Sequence, residues 1–193
     1  MTERDAITRM QRGDISGLSV IVAQYQLKAV RTATLITRDK ALAEDVVQST
    51  FIRIYKKIHQ FDIQRPFEPW FMRSVVNAAI SATRKHSKVL SLHDNAGDDV
   101  TFEELLQDED GTPADKLETA AQRERVRQAL DALSPEQRAA VVMRYYLDMS
   151  EAEMADEMDT PKGTVKWRLH QARKRLRGLL SGRARNRTEV ING

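Results

Sequence analysis

Apolar residues recur every three or four positions along most of the 193-residue chain, which is the spacing of an amphipathic α-helix. Three such stripes lie in the first 88 residues: Leu18, Ile21, Val22, Tyr25 and Ala29; Val47, Phe51, Ile54 and Ile58; Trp70, Phe71, Val75 and Ala78. No run alternates with the period of two that a half-buried strand requires. The pattern therefore predicts an all-α protein whose residues 1–88 form one small helical bundle.

A second helical region is expected over residues 118–181. Ser134 is followed by Pro135 and, three positions on, by Gln137, which is the signature of a helix start. Ser150 and Glu153 have the spacing of a capping box, and Thr160 before Pro161 predicts a third start with Pro161 as the first helical residue. Residues 182–193 are expected to be a disordered tail.

Between these regions, residues 89–117 predict an acidic flexible linker, because turn-forming and acidic residues replace the apolar stripes there. Charge is divided unevenly along the chain. Residues 1–90 hold 15 basic and 8 acidic side chains, residues 91–118 hold 1 and 10, and residues 162–193 hold 10 and 1. Basic ends around an acidic middle indicate contact with a polyanion.

The stretch from Thr160 to Leu180 carries much of the basic charge. On a helical wheel, Val165, Leu169, Ala172, Leu176 and Leu179 share one arc, and Lys166, Trp167, His170, Gln171, Lys174 and Arg177 lie opposite. Two short helices joined by a tight turn, with a basic second helix, are typical of a helix-turn-helix. On these residues alone a solvated basic face stays open. A membrane-surface helix is disfavoured because its apolar stripe would be unusually narrow.

Composition excludes several other classes. The chain has no Cys, so it forms no disulfide and has no thiolate chemistry, which fits the reducing cytosol. The first residues do not resemble a secretory signal, and no apolar run approaches the roughly 20 residues that span a bilayer. The four His residues lack ligand spacing, and there is no phosphate-binding or dinucleotide motif. We therefore expect no catalytic residues, no metal and no cofactor, and a cytoplasmic protein.

Four segments together resemble a known family. Residues 130–177, "LDALSPEQRAAVVMRYYLDMSEAEMADEMDTPKGTVKWRLHQARKRLR", are similar to region 4 of bacterial sigma factors of the extracytoplasmic-function (ECF) group. Residues 12–30 resemble region 2.1, residues 43–61 ("AEDVVQSTFIRIYKKIHQF") region 2.2, and residues 67–85 ("FEPWFMRSVVNAAISATRK") regions 2.3 and 2.4. The two halves stand in the family's order, and region 3 has no counterpart.

The resemblance implies a promoter-specificity subunit that binds core RNA polymerase. In the family, region 2 docks on the β′ clamp helices and opens the −10 element, while region 4 docks on the β flap and recognises the −35 element. The linker runs toward the RNA exit channel, and an anti-sigma factor commonly holds the free protein. The resemblance thus implies core polymerase, promoter DNA and an anti-sigma factor as partners.

Site residues are carried over by position. Polymerase binding falls on Asp45, Gln48, Ser49 and Ile52; −10 recognition falls on Asp62, Gln64, Arg65, Arg73, Asn77, Arg84 and Lys85; −35 recognition falls on Lys162, Thr164, Lys166, Trp167, His170, Gln171, Arg173 and Arg175. Lys166 is suited to guanine and Gln171 to adenine, whereas the later Arg and Lys residues suit phosphate.

The chain departs from the family pattern at three places. Ser49 stands where Glu is usual, Trp167 stands where a small polar residue is usual, and no acidic residue shortly follows Asn77. Two other functions remain as alternatives. A helix-turn-helix regulator that is not a sigma factor leaves residues 43–85 without a role, and a helical adaptor for protein partners leaves the basic helix unexplained.

Overall fold

The computed structural model describes the backbone of residues 1–90 and 125–189, and the chain divides into two compact units, Met1–Asp98 and Asp99–Gly193. In the first unit, α1 spans Glu3–Gln11, α2 Ser16–Thr37, α3 Lys40–Lys57 and α4 Phe67–Leu90, with a 3-10 turn at Ile58–Gln60. In the second, α5 covers residues 125–131 and is followed by α6 at Pro135–Tyr145, α7 at Glu151–Glu157 and α8 at Lys162–Glu189. The described residues contain no strand, which confirms the all-α prediction.

Aromatic rings fill the centre of the first unit. Helix α2 packs against α1, α3 and α4, and the Phe71 ring is fully buried among them. It stacks on Phe51 at a centroid distance of 4.8 Å and lies 5.7 Å from Tyr25. Phe67 lies 5.9 Å from Phe71 and meets Phe61 edge-on at 5.4 Å. Such pairs add to the stability from burial, so this cluster fixes α3, α4 and the loop between them as one body.

Helices α1 and α2 cross closely at Gly17. A Cβ built on Gly17 would clash with the main-chain carbonyl oxygen of Ala6 and would lie 3.0 Å from Cγ of Met10. Ala6, Met10 and Gly17 are all buried at this crossing. Glycine is therefore required here because no side chain fits between the two backbones.

The second unit buries the apolar stripe of α8 against α6 and α7. Val165 and Leu169 are fully buried, as are Met143 on α6 and Met154 on α7. Arg138 is a buried charge, and its guanidinium donates from Nε to the Leu130 carbonyl at 3.1 Å and from Nη2 to the Leu133 carbonyl at 3.1 Å. These bonds satisfy one carbonyl in the last turn of α5 and one just beyond its end, and they compensate for the desolvated charge.

Two of the predicted helix starts are confirmed. The Ser134 hydroxyl accepts from the Gln137 amide, and the Ser134 amide donates to Oε1 of Gln137, with Pro135 at the first helical position. Ser150 and Glu153 form the predicted capping box at the start of α7. The hydrogen bonds from Ser150 hold the pKa of the Glu153 carboxyl below its usual value.

The third predicted start is wrong by one residue. Helix α8 begins at Lys162, and the Pro161 carbonyl accepts from the amides of Thr164 at 2.8 Å and Val165 at 3.3 Å. Pro161 therefore occupies the capping position instead of the first helical position. Its fixed φ is compatible with both positions, so the sequence did not distinguish them.

Helix ends differ from the sequence prediction. Leu179 was placed in the buried stripe of α8 but is exposed, because α6 and α7 cover only the earlier turns. Helix α8 continues to Glu189, so the predicted disordered tail is wrong for residues 182–189, where Arg and Ala favour helix and no Pro intervenes. Helix α4 continues to Leu90, two residues past the predicted end of the first domain at residue 88. Residues 91–117 of the predicted linker and 190–193 of the tail lie outside the described residues.

Gly17→Ala is expected to destabilise the first unit by about 2 kcal/mol, because the new methyl group overpacks the α1–α2 crossing by more than helix propensity gains. Urea unfolding followed by Trp70 fluorescence, in a Trp167→Phe background, measures the change. Gly178→Ala in α8 is the control for replacing a helical glycine, since a Cβ there meets no atom within 4 Å; its unfolding is followed by Trp167 fluorescence in a Trp70→Phe background. The control should be neutral or slightly stabilised, and equal behaviour of the two variants would contradict the crossing argument.

Candidate functional site

Helix α3 presents one exposed strip of mixed character. Asp45, Gln48, Ser49 and Ile52 follow each other at steps of three, one and three residues and are all exposed, while Val47, Phe51 and Ile54 are buried. Ile52 is the apolar member, with 50% of its surface accessible. We call these four exposed residues the α3 strip. Their predicted exposure is confirmed, and the strip as a whole offers one apolar side chain beside three polar ones.

The loop from Phe61 to Phe67 is held at both ends. Phe61 is buried against Phe67 and lies 4.9 Å from the Trp70 ring, so Trp70 belongs to the packing of this loop, as the sequence favoured. Gln11 on α1 donates from Nε2 to the carbonyls of Ile58 at 3.2 Å and Phe61 at 2.9 Å. The exposed tip therefore lies between two ends that are anchored to the core.

That tip contains three predicted site residues. The Asp62 carboxylate accepts from the Gln64 amide at 3.0 Å, and Arg65 donates its amide to the Asp62 carbonyl at 3.0 Å. The Asp62 carboxylate also lies 3.6 Å from Nε of Arg65. Because all three side chains are exposed, this ion pair is weak and both partners remain accessible to a ligand.

The outer face of α4 continues from this loop. Arg73, Asn77 and Arg84 are exposed at spacings of four and seven residues, which places them along one side of the helix. Lys85 is exposed beside Arg84. The structure thus brings the predicted −10 residues together on the loop and on one helix face, as continuous polar surface of the first unit.

A tight turn joins α7 to α8. Met158 is the C-cap of α7, and Asp159 follows with a positive φ of 44°. The Thr160 amide donates to the Ala155 carbonyl at 3.0 Å and the Asp159 amide to the Asp156 carbonyl at 3.3 Å. This is the Schellman arrangement, with Asp159 where glycine is more usual. The turn directs α8 away from α7 after only four residues, which completes a helix-turn-helix.

Helix α8 presents its basic side to solvent. The buried positions Val165, Leu169 and Ala172 face α6 and α7. The predicted −35 residues are distributed on the remaining surface: Lys162, Lys166, Trp167, His170, Arg173 and Arg175 are exposed, and Thr164 and Gln171 are half-buried. No acidic residue occurs from Lys162 to Thr188, so this surface is uniformly cationic or neutral.

Arg173 has an intramolecular partner that the sequence did not predict. Its Nε donates to the Tyr145 hydroxyl at 2.9 Å, and its guanidinium carbon lies 5.9 Å from the centre of the Tyr145 ring. Tyr145 is the last residue of α6 and is 62% exposed. An exposed tyrosine at a helix end carries no sequence signal for this contact, because the pairing depends on how α6 and α8 pack.

Other kinds of site are not found in the described parts of the chain. Within residues 1–90 and 125–189, no group of three His, Asp or Glu side chains is arranged to hold a metal ion. None of the helices in these two ranges is both long and apolar enough to cross a membrane. The surfaces that remain are the α3 strip, the loop with the α4 face, and the exposed side of α8.

Comparison with known proteins identifies the family. Residues 21–89 match the family described as Sigma-70 region 2, and residues 123–176 match the family described as Sigma-70, region 4. The ECF RNA polymerase sigma factor SigM of Bacillus subtilis (strain 168) is 30% identical over 159 residues, which cover 82% of this chain and 92% of SigM. The chain belongs to the ECF RNA polymerase sigma factors. It is an alternative sigma factor that directs promoter-specific transcription.

Two solved structures share the fold. CnrH, solved in complex with the cytosolic domain of CnrY, aligns with a TM-score of 0.62 at 22% identity over 93% of this chain and 97% of CnrH. RpoE, solved with the anti-sigma factor NepR from Bartonella quintana, aligns with a TM-score of 0.60 at 23% identity over 80% of this chain and 91% of RpoE. The two-unit helical architecture of this sigma factor is therefore that of its structural neighbours.

The alternative of a helix-turn-helix regulator outside the sigma factors is not favoured. Such a protein accounts for residues 123–176 alone, whereas residues 21–89 match region 2 independently. The adaptor alternative likewise leaves the cationic side of α8 without a function. The resemblance that the sequence carried in both halves is confirmed.

The contact between Tyr145 and Arg173 is expected to contribute about 0.5–1 kcal/mol to the second unit, since both side chains are exposed and solvent screens the pair. A double-mutant cycle of Tyr145→Ala and Arg173→Ala, followed by urea unfolding with Trp167 fluorescence in a Trp70→Phe background, measures the coupling. Lys174→Ala replaces Arg173→Ala in the control cycle and should show no coupling to Tyr145. Equal coupling in both cycles would contradict a specific contact.

Proposed function

We propose that the two units of this sigma factor divide the promoter between them. The first unit binds core RNA polymerase through the α3 strip and recognises the −10 element through the loop and the α4 face. The second unit recognises the −35 element through α8. The observation that carries the proposal is the separation of a mixed apolar-polar strip and a cationic helix onto two compact units, each matching a different sigma region. The proposed bounds are residues 1–88 for the first domain, 89–117 for the linker and 118–181 for the second domain.

The α3 strip suits a polymerase helix better than DNA. Two of its members, Gln48 and Ser49, are neutral, Asp45 repels phosphate, and Ile52 offers an apolar contact. We assign it to the β′ clamp helices, and we assign the second unit to the β flap. Ser49, where the family usually has Glu, replaces a charged contact by a neutral one and leaves the rest of the strip intact.

The loop and the α4 face suit unpaired −10 DNA. A base that leaves the stack needs hydrogen-bonding groups in a fixed arrangement, and the anchored tip presents Asp62, Gln64 and Arg65 side by side. Asn77 offers an amide to a base edge, and Arg73, Arg84 and Lys85 are placed along α4 to hold the phosphate backbone. Since Trp70 and Phe61 are committed to packing, polar contacts carry the recognition.

The exposed side of α8 suits the major groove of duplex DNA. Its early turns carry Lys166 and Gln171, whose hydrogen-bonding patterns match guanine and adenine. Later turns carry Arg173 and Arg175, which suit phosphate. The Tyr145 hydroxyl uses one of the five N–H donors of Arg173, so the guanidinium keeps donors for a phosphate while its position is restricted.

The function requires no catalytic group, and we propose that the protein acts by binding alone, in the cytoplasm where polymerase and chromosome meet. An anti-sigma factor is a further proposed partner, supported by the neighbour RpoE, which was solved with one. The acidic segment 91–118 lies outside the described residues. Its charge suits a cationic channel built for nucleic acid.

Reconstituted transcription tests the proposal as a whole. The purified chain is mixed with core polymerase and a set of genomic promoter fragments, and initiated transcripts are mapped. We expect core binding and transcripts from a defined subset of promoters, with footprints at both elements. A chain that binds duplex DNA but never core polymerase would contradict the proposal.

Lys166→Ala is expected to weaken −35 recognition about tenfold or more and to relax specificity at one base pair, because a side-chain contact to a base edge is lost. Competition binding of holoenzyme to −35 variants measures the effect. Lys174→Ala is the matched control: a phosphate contact should lower affinity for all sequences alike and reduce the salt dependence by about one charge. Loss of core binding by Lys166→Ala would show that this face is misassigned.

Ile52→Asp is expected to weaken binding to core polymerase at least tenfold, because it places a charge at the apolar member of the α3 strip. Lys57→Gln changes net charge by the same amount on the same helix, at an exposed position well away from the strip, and should leave binding unchanged. Titration of labelled core polymerase measures both. If the two variants bind equally well, the α3 strip is not the polymerase contact.

A further inference from the structure

Trp167 is the bulkiest exposed side chain on the outer face of α8. It retains 58% of its surface accessible in the folded protein, although it lies only two residues from the fully buried Val165 and Leu169. An indole that packing requires would be buried with that stripe. Its exposure on the cationic side of the helix leaves the indole available for a contact outside the chain.

Gly163 lies one helical turn before Trp167, in the same row on the surface of α8. Gly163 is exposed, and a Cβ built there would meet no atom within 4 Å. No close packing inside the protein therefore demands glycine at this position, in contrast to Gly17. Trp167 and Gly163 together form a step: a raised apolar ring beside a hollow that reaches the helix backbone.

The surroundings of this step determine what it can accept. Lys162 and Lys166 flank it, and α8 carries no acidic residue before Glu189, so charge favours a polyanion. An indole has a single N–H donor and cannot make a two-bond contact to a base edge. In the major groove, the apolar feature that distinguishes one base pair from another is the 5-methyl group of thymine.

We propose that Trp167 and Gly163 form an apolar contact for a thymine methyl group in the −35 duplex. The inference rests on the proposed placement of α8 in the major groove and adds to it a base preference. Lys166 and Gln171 select by hydrogen bonds, whereas Trp167 selects by burying a methyl group. The hollow at Gly163 admits that methyl group to the side of the indole.

Removing single methyl groups from the DNA tests this directly. The −35 element is first located by footprinting the holoenzyme on a promoter that it transcribes, and each thymine in it is then replaced by deoxyuridine. Wild-type holoenzyme should lose about fourfold in affinity at one thymine, the effect of one buried methyl group. Trp167→Ser holoenzyme should bind the thymine and deoxyuridine duplexes equally.

Two further variants distinguish the loss of the methyl contact from a general loss of DNA affinity. Gly163→Ala fills the hollow without touching another protein atom, so it should fold at least as stably and lose the preference for thymine over deoxyuridine. Lys166→Ala should bind more weakly overall and keep that preference. Thermal melting of each variant confirms that the second unit is folded.

Each outcome separates the inference from the proposed function. Equal binding of all deoxyuridine duplexes by the wild type, or a −35 element without any thymine, would overturn the methyl contact while the −35 footprint stands. If Trp167→Ser lowers the affinity by the same factor, relative to wild type, on thymine and deoxyuridine duplexes, the indole contacts the sugar. That result would also overturn the methyl contact. The absence of any −35 footprint would instead refute the placement of α8 and both proposals with it.

Discussion

Phe67 and Phe71 lie at the centre of the first unit, and most of its exposed features depend on how their rings are packed. Phe71 joins α4 to α2 and α3, so it determines which side of α3 is buried and which is left as the α3 strip. Phe67 opens α4 and holds Phe61 at the other end of the loop. A loop anchored by two buried rings presents polar side chains without losing much conformational entropy when it binds.

The second unit relies on a different constraint, because its helices are short. A seven-residue helix such as α7 is not stable alone and exists because Met154 is buried beneath it. The turn at Asp159 then decides the direction of α8, and the burial of Val165 and Leu169 decides its rotation. The identity of the residues that face outward thus follows from packing on the opposite side of the helix.

Positive charge along α8 serves more than one purpose. Lys and Arg residues attract DNA regardless of sequence, and they account for affinity more than for choice of promoter. Arg173 differs from its neighbours because its guanidinium is hydrogen-bonded to the Tyr145 hydroxyl and lies near the Tyr145 ring. These contacts restrict the position of its charge. Trp167 differs again because it brings apolar surface into a cationic face, which is the property expected of a group that distinguishes bases.

Periodicity, capping signatures and charge in the sequence were enough to determine the helical class, the starts of α6 and α7, the exposed α3 strip and the basic side of α8. These are local properties, set by the chemistry of residues within a few positions of each other. The clash that requires Gly17, the Tyr145–Arg173 contact and the exposure of Leu179 were decided only in the tertiary structure. Each depends on where a second helix lies, and nothing within one helix's own sequence specifies the position of its neighbour.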